Sequence, residues 1–137
     1  MAGYSGTPLP KKLGIKERSK VALIGAPRGF EKFLGELPKD AAIQVGLTGR
    51  DRFDVILAFA TSRKQLQRHM AAARQHMTSA AGLWIAWPKK SSGVETDMTE
   101  DVVRTVALPT GLVDNKVCAI DDTWSGLRLV IRLALRE

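Results

Sequence analysis

Apolar residues in this chain fall into two kinds of run. Val21-Ala22-Leu23-Ile24, Phe53-Asp54-Val55-Ile56-Leu57-Ala58-Phe59-Ala60 and Leu83-Trp84-Ile85-Ala86-Trp87 are nearly continuous, the first stopped by Gly25-Ala26-Pro27 and the last by Pro88. Such runs predict strands buried on both faces. Ala41 to Leu47 alternates through Ile43, Val45 and Leu47 and predicts a second strand in chain order, with Thr48-Gly49-Arg50-Asp51 as its exit. The other kind of run has helical spacing. Phe30, Phe33, Leu34 and Leu37 predict a short helix before Pro38, and Leu66, Met70, Ala73 and Met77 give a longer one an inward face. Ser62, three residues before Gln65, has the spacing of a capping box for a helix beginning at Arg63. A further helix opens at Thr99-Glu100-Asp101, turns Val102, Val103, Val106 and Ala107 inward, and is ended or distorted at Pro109 and Gly111. Val113 to Ile120 and Leu127 to Leu133 flank the turn-rich Asp121-Asp122-Thr123-Trp124-Ser125-Gly126, so the chain is expected to close with an antiparallel hairpin.

Strand-helix-strand alternation implies parallel pairing through right-handed crossovers. The expected fold class is therefore α/β: a three-layer Rossmann-like domain with a mostly parallel sheet of about six strands and a C-terminal antiparallel hairpin. With 137 residues, of which 45% are apolar, there is material for one core and no room for a second domain. Residues 1–19 divide off as a basic N-terminal arm, because Gly3, Gly6, Pro8, Pro10 and Gly14 favour extended chain, while Leu9, Leu13 and Ile15 could pin that arm to the domain of residues 20–137.

Charge narrows the choice of partners only a little. The formal net charge is +7, and Lys11, Lys12, Lys16, Arg18 and Lys20 against Glu17 carry more than half of it, which allows an acidic partner. Cys118 is the single cysteine, so a disulfide framework is excluded and a reducing compartment is the default. No run approaches the ~18 apolar residues that span a bilayer, and the start lacks a signal-peptide core, so a cytoplasmic protein with no membrane partner is expected.

The stretch from Gly82 to Arg104 orders a strand, a polar loop and a helix, the unit that carries ligands in open α/β sheets. Lys89, Lys90, Ser91, Ser92 and Gly93 offer ammonium, hydroxyl and backbone donors to an anion, and the plainer reading is a solvated loop. Parallel strands would bring the turn Gly25 to Gly29 to the same edge, so Gly25, Arg28 and Gly29 join that candidate site; sterically the glycines also permit a tight strand-to-helix turn. Trp84 and Trp87 have opposite parity and are expected to pack on opposite faces of the sheet. Trp124 either covers the edge of the core or meets a partner. Asp121 and Asp122 could orient a hydroxyl or hold Mg²⁺, but turn chemistry is the favoured role. His69 and His76, ~10 Å apart along one helix flank, are too distant to share a metal and read as surface positions. No metal site is expected. Cys118 reads as a buried structural thiol, and Asp114-Asn115-Lys116 as a turn or cap.

Six phrases carry a family resemblance: Gly3-Tyr4-Ser5-Gly6-Thr7-Pro8-Leu9, Lys12-Leu13-Gly14-Ile15, Trp87-Pro88-Lys89-Lys90, Thr99 to Arg104, Asp114 to Asp121, and Trp124-Ser125-Gly126-Leu127. Over residues 3 to about 130 the chain resembles a family of small bacterial proteins classed as a domain of unknown function. The resemblance implies no activity or catalytic residue. In its order of elements the chain also looks like a reduced methyltransferase-type Rossmann fold. An S-adenosylmethionine site of that type would want a glycine-rich turn after the first strand and a carboxylate ending the second. The first turn here is Gly25-Ala26-Pro27-Arg28-Gly29, and no carboxylate follows the second strand before Asp51.

Three functions follow as expectations. The first is a non-catalytic module binding an anionic small molecule or a protein, with Gly25, Arg28, Gly29, Lys89, Lys90, Ser91, Ser92, Asp121 and Trp124 as its ligand-binding residues. The second is an enzyme, either a divergent methyltransferase or one acting on a phosphoryl substrate, with Arg28, Lys89, Lys90 and Asp121 near the substrate. The third is nucleic-acid binding through residues 11–20. No particular cofactor is implied.

Overall fold

The computed structural model describes residues 7–47 and 49–136; the Gly3-to-Gly6 start of the arm, Thr48 in the exit from the second strand, and Glu137 lie outside them. In chain order the elements are α1 (Leu9–Lys12), β1 (Lys20–Ile24), α2 (Phe30–Leu34), β2 (Ala42–Val45), β3 (Phe53–Phe59), α3 (Arg63–Arg74), β4 (Met77–Pro88), α4 (Glu100–Ala107), β5 (Leu112–Ala119) and β6 (Trp124–Ile131). They form one six-stranded sheet in the order β2-β1-β3-β4-β6-β5. β1 pairs in parallel with both β2 and β3, and β3 pairs in parallel with β4, while β6 runs antiparallel to β4 and β5. The expected α/β sheet with its terminal hairpin is thus what the chain builds.

Side-chain parity sorts the core into two layers. Ala22, Ile56, Ala58, Leu83, Ile85, Trp87, Leu127 and Leu129 face α3 and α4, where Leu66, Met70, Ala73, Val103 and Ala107 complete the packing. Val21, Leu23, Val55, Leu57, Phe59 and Trp84 face the other way, toward Leu13, Ile15, Phe30 and Leu34. Trp84 and Trp87 do point to opposite faces. The N-terminal segment is consequently part of the second layer. Leu13 is 1% exposed and Ile15 4%, which at about 1.5–3 kcal/mol for each buried side chain is enough to hold the segment down. Buried Trp84 secures it with an indole Nε1–H that donates to the Leu13 carbonyl at 3.0 Å.

The helix starts follow the expected caps. Ser62 Oγ accepts from the Gln65 N–H at 3.1 Å while Gln65 Oε1 accepts from the Thr61 N–H at 2.9 Å, a capping box displaced by one residue on its return arm. Thr99 Oγ1 accepts from the Val102 N–H at 3.1 Å. The other end of α3 differs from its predicted face. Met77 lies outside the helix and begins β4, because the helix closes in i→i−3 bonds at Gln75 and His76, the latter taking the Ala73 carbonyl, and Met77 pairs with Phe53. Met77 is still buried in the same cluster as Met70. Helical spacing there is filled by a strand residue. β4 then slips against β3 between Phe53↔Met77 and Val55↔Gly82, which places Thr78, Ser79 and Ala80 in an irregular stretch before the pairing becomes regular.

Candidate functional site

In the parallel part of the sheet β1, β3 and β4 end on one side, called here the carboxyl rim, and β1 is the strand at which the order reverses. Ligands in open α/β sheets bind outside such a reversal. Gly25 leaves β1 with φ +66°, and a methyl group on it would stand 3.1 Å from the Phe59 carbonyl oxygen and 3.4 Å from the His69 ring. The position demands glycine twice over, by its left-handed backbone and by the close approach of β3. Gly29, at φ +82°, caps the five-residue α2, which begins at Phe30. Beside this turn is a crevice of about 230 Å³ lined by Leu23, Ala26, Arg28, Phe30, Glu31 and Val45. Arg28 is exposed at its mouth.

Lys89 and the hairpin turn share the carboxyl rim, since Pro88 pairs with Trp124. Their polar groups are turned inward to structural tasks. Lys89 Nζ donates to the Asp121 carbonyl at 2.8 Å, and its backbone N–H donates to Thr123 O, also at 2.8 Å. Asp121 Oδ1 accepts from the N–H groups of Thr123 and Trp124 at 2.8 Å each, the turn chemistry expected of it. Ser92 Oγ donates to Lys89 O at 2.6 Å and accepts from the Val94 N–H at 3.2 Å, closing a 3-10 turn over Lys90–Ser92. Lys90 and Ser91 are exposed on that turn, and Asp122 is exposed on the hairpin. Trp124 meets Phe59 edge-on at 5.0 Å between ring centroids, and Phe59 meets Phe30 at 5.0 Å in turn. Through this row of rings Trp124 packs over the edge of the core. The nine expected ligand residues therefore lie along one rim, but the 89–92 loop contributes nothing to the crevice beside Arg28.

His69 was the residue missed. Its ring sits beneath Gly25 and takes a hydrogen bond to the Phe59 carbonyl, while Nδ1 is buried without a partner. Burial, and Arg68 after it, lower its pKa from histidine's ordinary 6.5, against a smaller upward effect of the Phe59 bond. A pKa below the ordinary value keeps the ring mostly neutral at pH 7. The signal was in the sequence: Leu66, His69, Met70 and Ala73 complete an i, i+3, i+4, i+7 stripe, so His69 shares the inward face. His76 is also engaged, Nδ1 lying 2.8 Å from Asp51 O. Among the described residues no group of His, Cys, Asp and Glu is arranged to hold a metal ion, and no helix is long and apolar enough to cross a membrane. Half-buried Cys118 has its thiol pKa raised by burial, with Lys12 and Lys116 acting weakly the other way.

Solved structures share this arrangement. A putative type 11 methyltransferase from Sulfolobus solfataricus superimposes with a TM-score of 0.66 at 15% identity, covering 100% of this chain and 97% of its own. Fibrillarin, a pre-rRNA processing protein of Methanococcus jannaschii, gives 0.63 at 13% identity over 91% of this chain and 69% of its own. An S-adenosylmethionine-dependent methyltransferase from Aquifex aeolicus gives 0.59 at 16% identity over 88% and 87%. The fold is that of the methyltransferase-type Rossmann proteins. Identities this low show the architecture alone. No family model matches the chain and no curated protein matches it in sequence, so the likeness to a domain of unknown function stands on the phrases quoted above.

The fold's usual cofactor fits this rim only in part. Gly25 is exposed at the first turn, where an S-adenosyl compound would meet the backbone, although its missing side chain makes room for the Phe59 carbonyl and the His69 ring. The ribose carboxylate is missing: the first acid after β2, Asp51, lies 3.9 Å from the Nζ of Lys20, the residue that begins β1, and so belongs to the opposite edge of the sheet.

Proposed function

We propose that this chain is a divergent methyltransferase-like protein whose ligand site is the carboxyl rim around Gly25, Phe59 and His69, and whose ligand is an S-adenosyl or related adenine-nucleoside compound held without a ribose carboxylate. The observation that carries the reading is the left-handed Gly25 packed against the Phe59 carbonyl and the His69 ring at the reversal of strand order. An exposed glycine turn at that reversal leaves the backbone open to a nucleoside. Each lost hydrogen bond between a ribose hydroxyl and a carboxylate is worth about 1.5–3 kcal/mol, so binding at least tenfold weaker than with that anchor is expected. Titration calorimetry of the full chain with S-adenosylmethionine and S-adenosylhomocysteine tests this. Saturable binding that Gly25→Val removes supports the reading, and no saturable binding at about 1 mM of either compound overturns it.

A second reading, the non-catalytic module for an anion, draws on exposed Arg28, which forms no ion pair among the described residues. It is weakened by Ser92, whose hydroxyl is engaged within the loop, and by Lys89, which gives one of its three N–H groups to the Asp121 carbonyl. Inorganic phosphate binding that disappears in Arg28→Gln, with no response to S-adenosyl compounds, would favour it.

A further inference from the structure

Away from the carboxyl rim, between the N-terminal segment and the sheet, lies a cleft of about 560 Å³, within the ~300–1,000 Å³ range of small-molecule sites. The segment supplies Lys11, Lys12, Lys16 and Arg18, while β5 and β6 supply Lys116 and Arg128. None of these six cations is in a salt bridge among the described residues. The acids of the cleft do not balance them. There are two, Asp54 and Glu17, against six cations; Asp54 accepts from the Lys20 N–H at 2.9 Å and from Thr78 Oγ1 at 3.4 Å, and Glu17 is exposed.

Arg128 is the informative member. It is half-buried beside Trp84, its partner across β4, and β4 is shaped around it. A Cβ on Gly82 would fall 2.5 Å from the Arg128 Nε and 2.9 Å from Cζ, so the missing side chain leaves the space that the guanidinium fills. A cation held partly out of water without a counter-charge is unfavourable unless something anionic joins it. Burial, and Arg136 after it, already lower its pKa. The opposite wall is fixed in advance. Leu13 is tied to Trp84, Lys12 Nζ donates to Ala119 O at 3.2 Å, and Lys116 Nζ donates to Lys12 O at 3.4 Å.

We infer that this cleft is a binding site for a small phosphorylated molecule, with the Arg128 fork taking a phosphate and Lys12, Lys16, Arg18 and Lys116 neutralising the remaining charge. A planar guanidinium set in a preformed recess suits two-point contact with phosphate oxygens. A volume of about 560 Å³ fits a small ligand better than a nucleic-acid backbone, which needs an extended track of cations. The site is separate from the carboxyl rim, and its success or failure is independent of the S-adenosyl reading.

Titration of the full chain with inorganic pyrophosphate and, separately, with a single-stranded oligonucleotide tests it, with circular dichroism confirming that each variant is folded. Arg128→Gln removes the charge. Gly82→Ala keeps every charge and displaces the guanidinium. Both are expected to weaken pyrophosphate binding at least tenfold while S-adenosyl binding stays as in the wild type. Unchanged pyrophosphate affinity in either folded variant overturns the inference. So does oligonucleotide binding that exceeds pyrophosphate binding and falls steeply with salt, since that would make the lysines a polyelectrolyte surface.

Discussion

The indole of Trp84 reaches from the middle of β4 to the carbonyl of Leu13, 3.0 Å away, and joins residues 71 positions apart in the chain. One bond links a core strand to the segment that carries much of the surplus positive charge. Trp84→Phe keeps the ring and leaves the buried carbonyl unpaired, a loss expected to cost about 1–3 kcal/mol. Urea denaturation should show a lower midpoint, and trypsin should cut faster after Lys11, Lys12 and Lys16. Unaltered cleavage rates would mean that Leu13 and Ile15 hold the segment by packing alone.

Gly126 faces Trp84 from β6, and a Cβ there would lie 2.9 Å from Ile120 Cδ1 and 3.1 Å from Trp84 Cε3. Gly126→Ala is therefore an overpacking substitution, expected to destabilise by about 1–3 kcal/mol although alanine is better suited than glycine to a strand. A denaturation midpoint equal to or above that of the wild type would contradict it.

His69 gives the protein a pH-dependent stability. Its folded pKa lies below the ordinary 6.5 because burial disfavours the charged ring. The unfolded chain then binds the proton first as pH falls, so the contribution is complete above about 6.5 and is lost progressively as pH drops through the lowered folded value. His69→Gln should remove that slope. Denaturation midpoints of the two proteins, compared from pH 8 to pH 5, should converge toward the acid end, and parallel curves would exclude His69 as the source.

Val45 ends β2, is 69% exposed, and lines the crevice beside Arg28. If the carboxyl rim takes an S-adenosyl compound, Val45→Asp places a carboxylate where the ribose lacks one. Calorimetry should record affinity raised about tenfold, the worth of roughly one charge-assisted hydrogen bond. Unchanged or weakened binding would show that no ribose lies there.

What the sequence disclosed, it disclosed through burial. Val21 to Ile24, Phe53 to Ala60 and Leu83 to Trp87 are legible because a strand covered on both faces has no polar alternation to confuse it. The first part of β4 was hidden for the converse reason: Thr78, Ser79 and Ala80 leave the register, and Met77 extends the spacing of α3 by coincidence of position. At the rim, parallel strands were enough to bring Arg28 and Lys89 to one side. That Lys89 is tied to Asp121, and Trp124 to Phe59, could not be read from local pattern, because a lysine's or an indole's partner 32 or 65 residues away is chosen by the folded surface. His69 was legible and was misread as a flank.

The two borders of the sheet are built differently, with a shared consequence. β2 offers only Ala42–Val45, and β5 is fringed by exposed Asp114, Asn115 and Lys116 and slips out of step with β6 between Asp114 and Lys116. A neighbouring chain seeking to add a strand meets too short a template on one side and a charged, kinked one on the other. Lateral growth into fibrils is disfavoured at both flanks, which leaves a basic, half-apolar chain free to present its clefts.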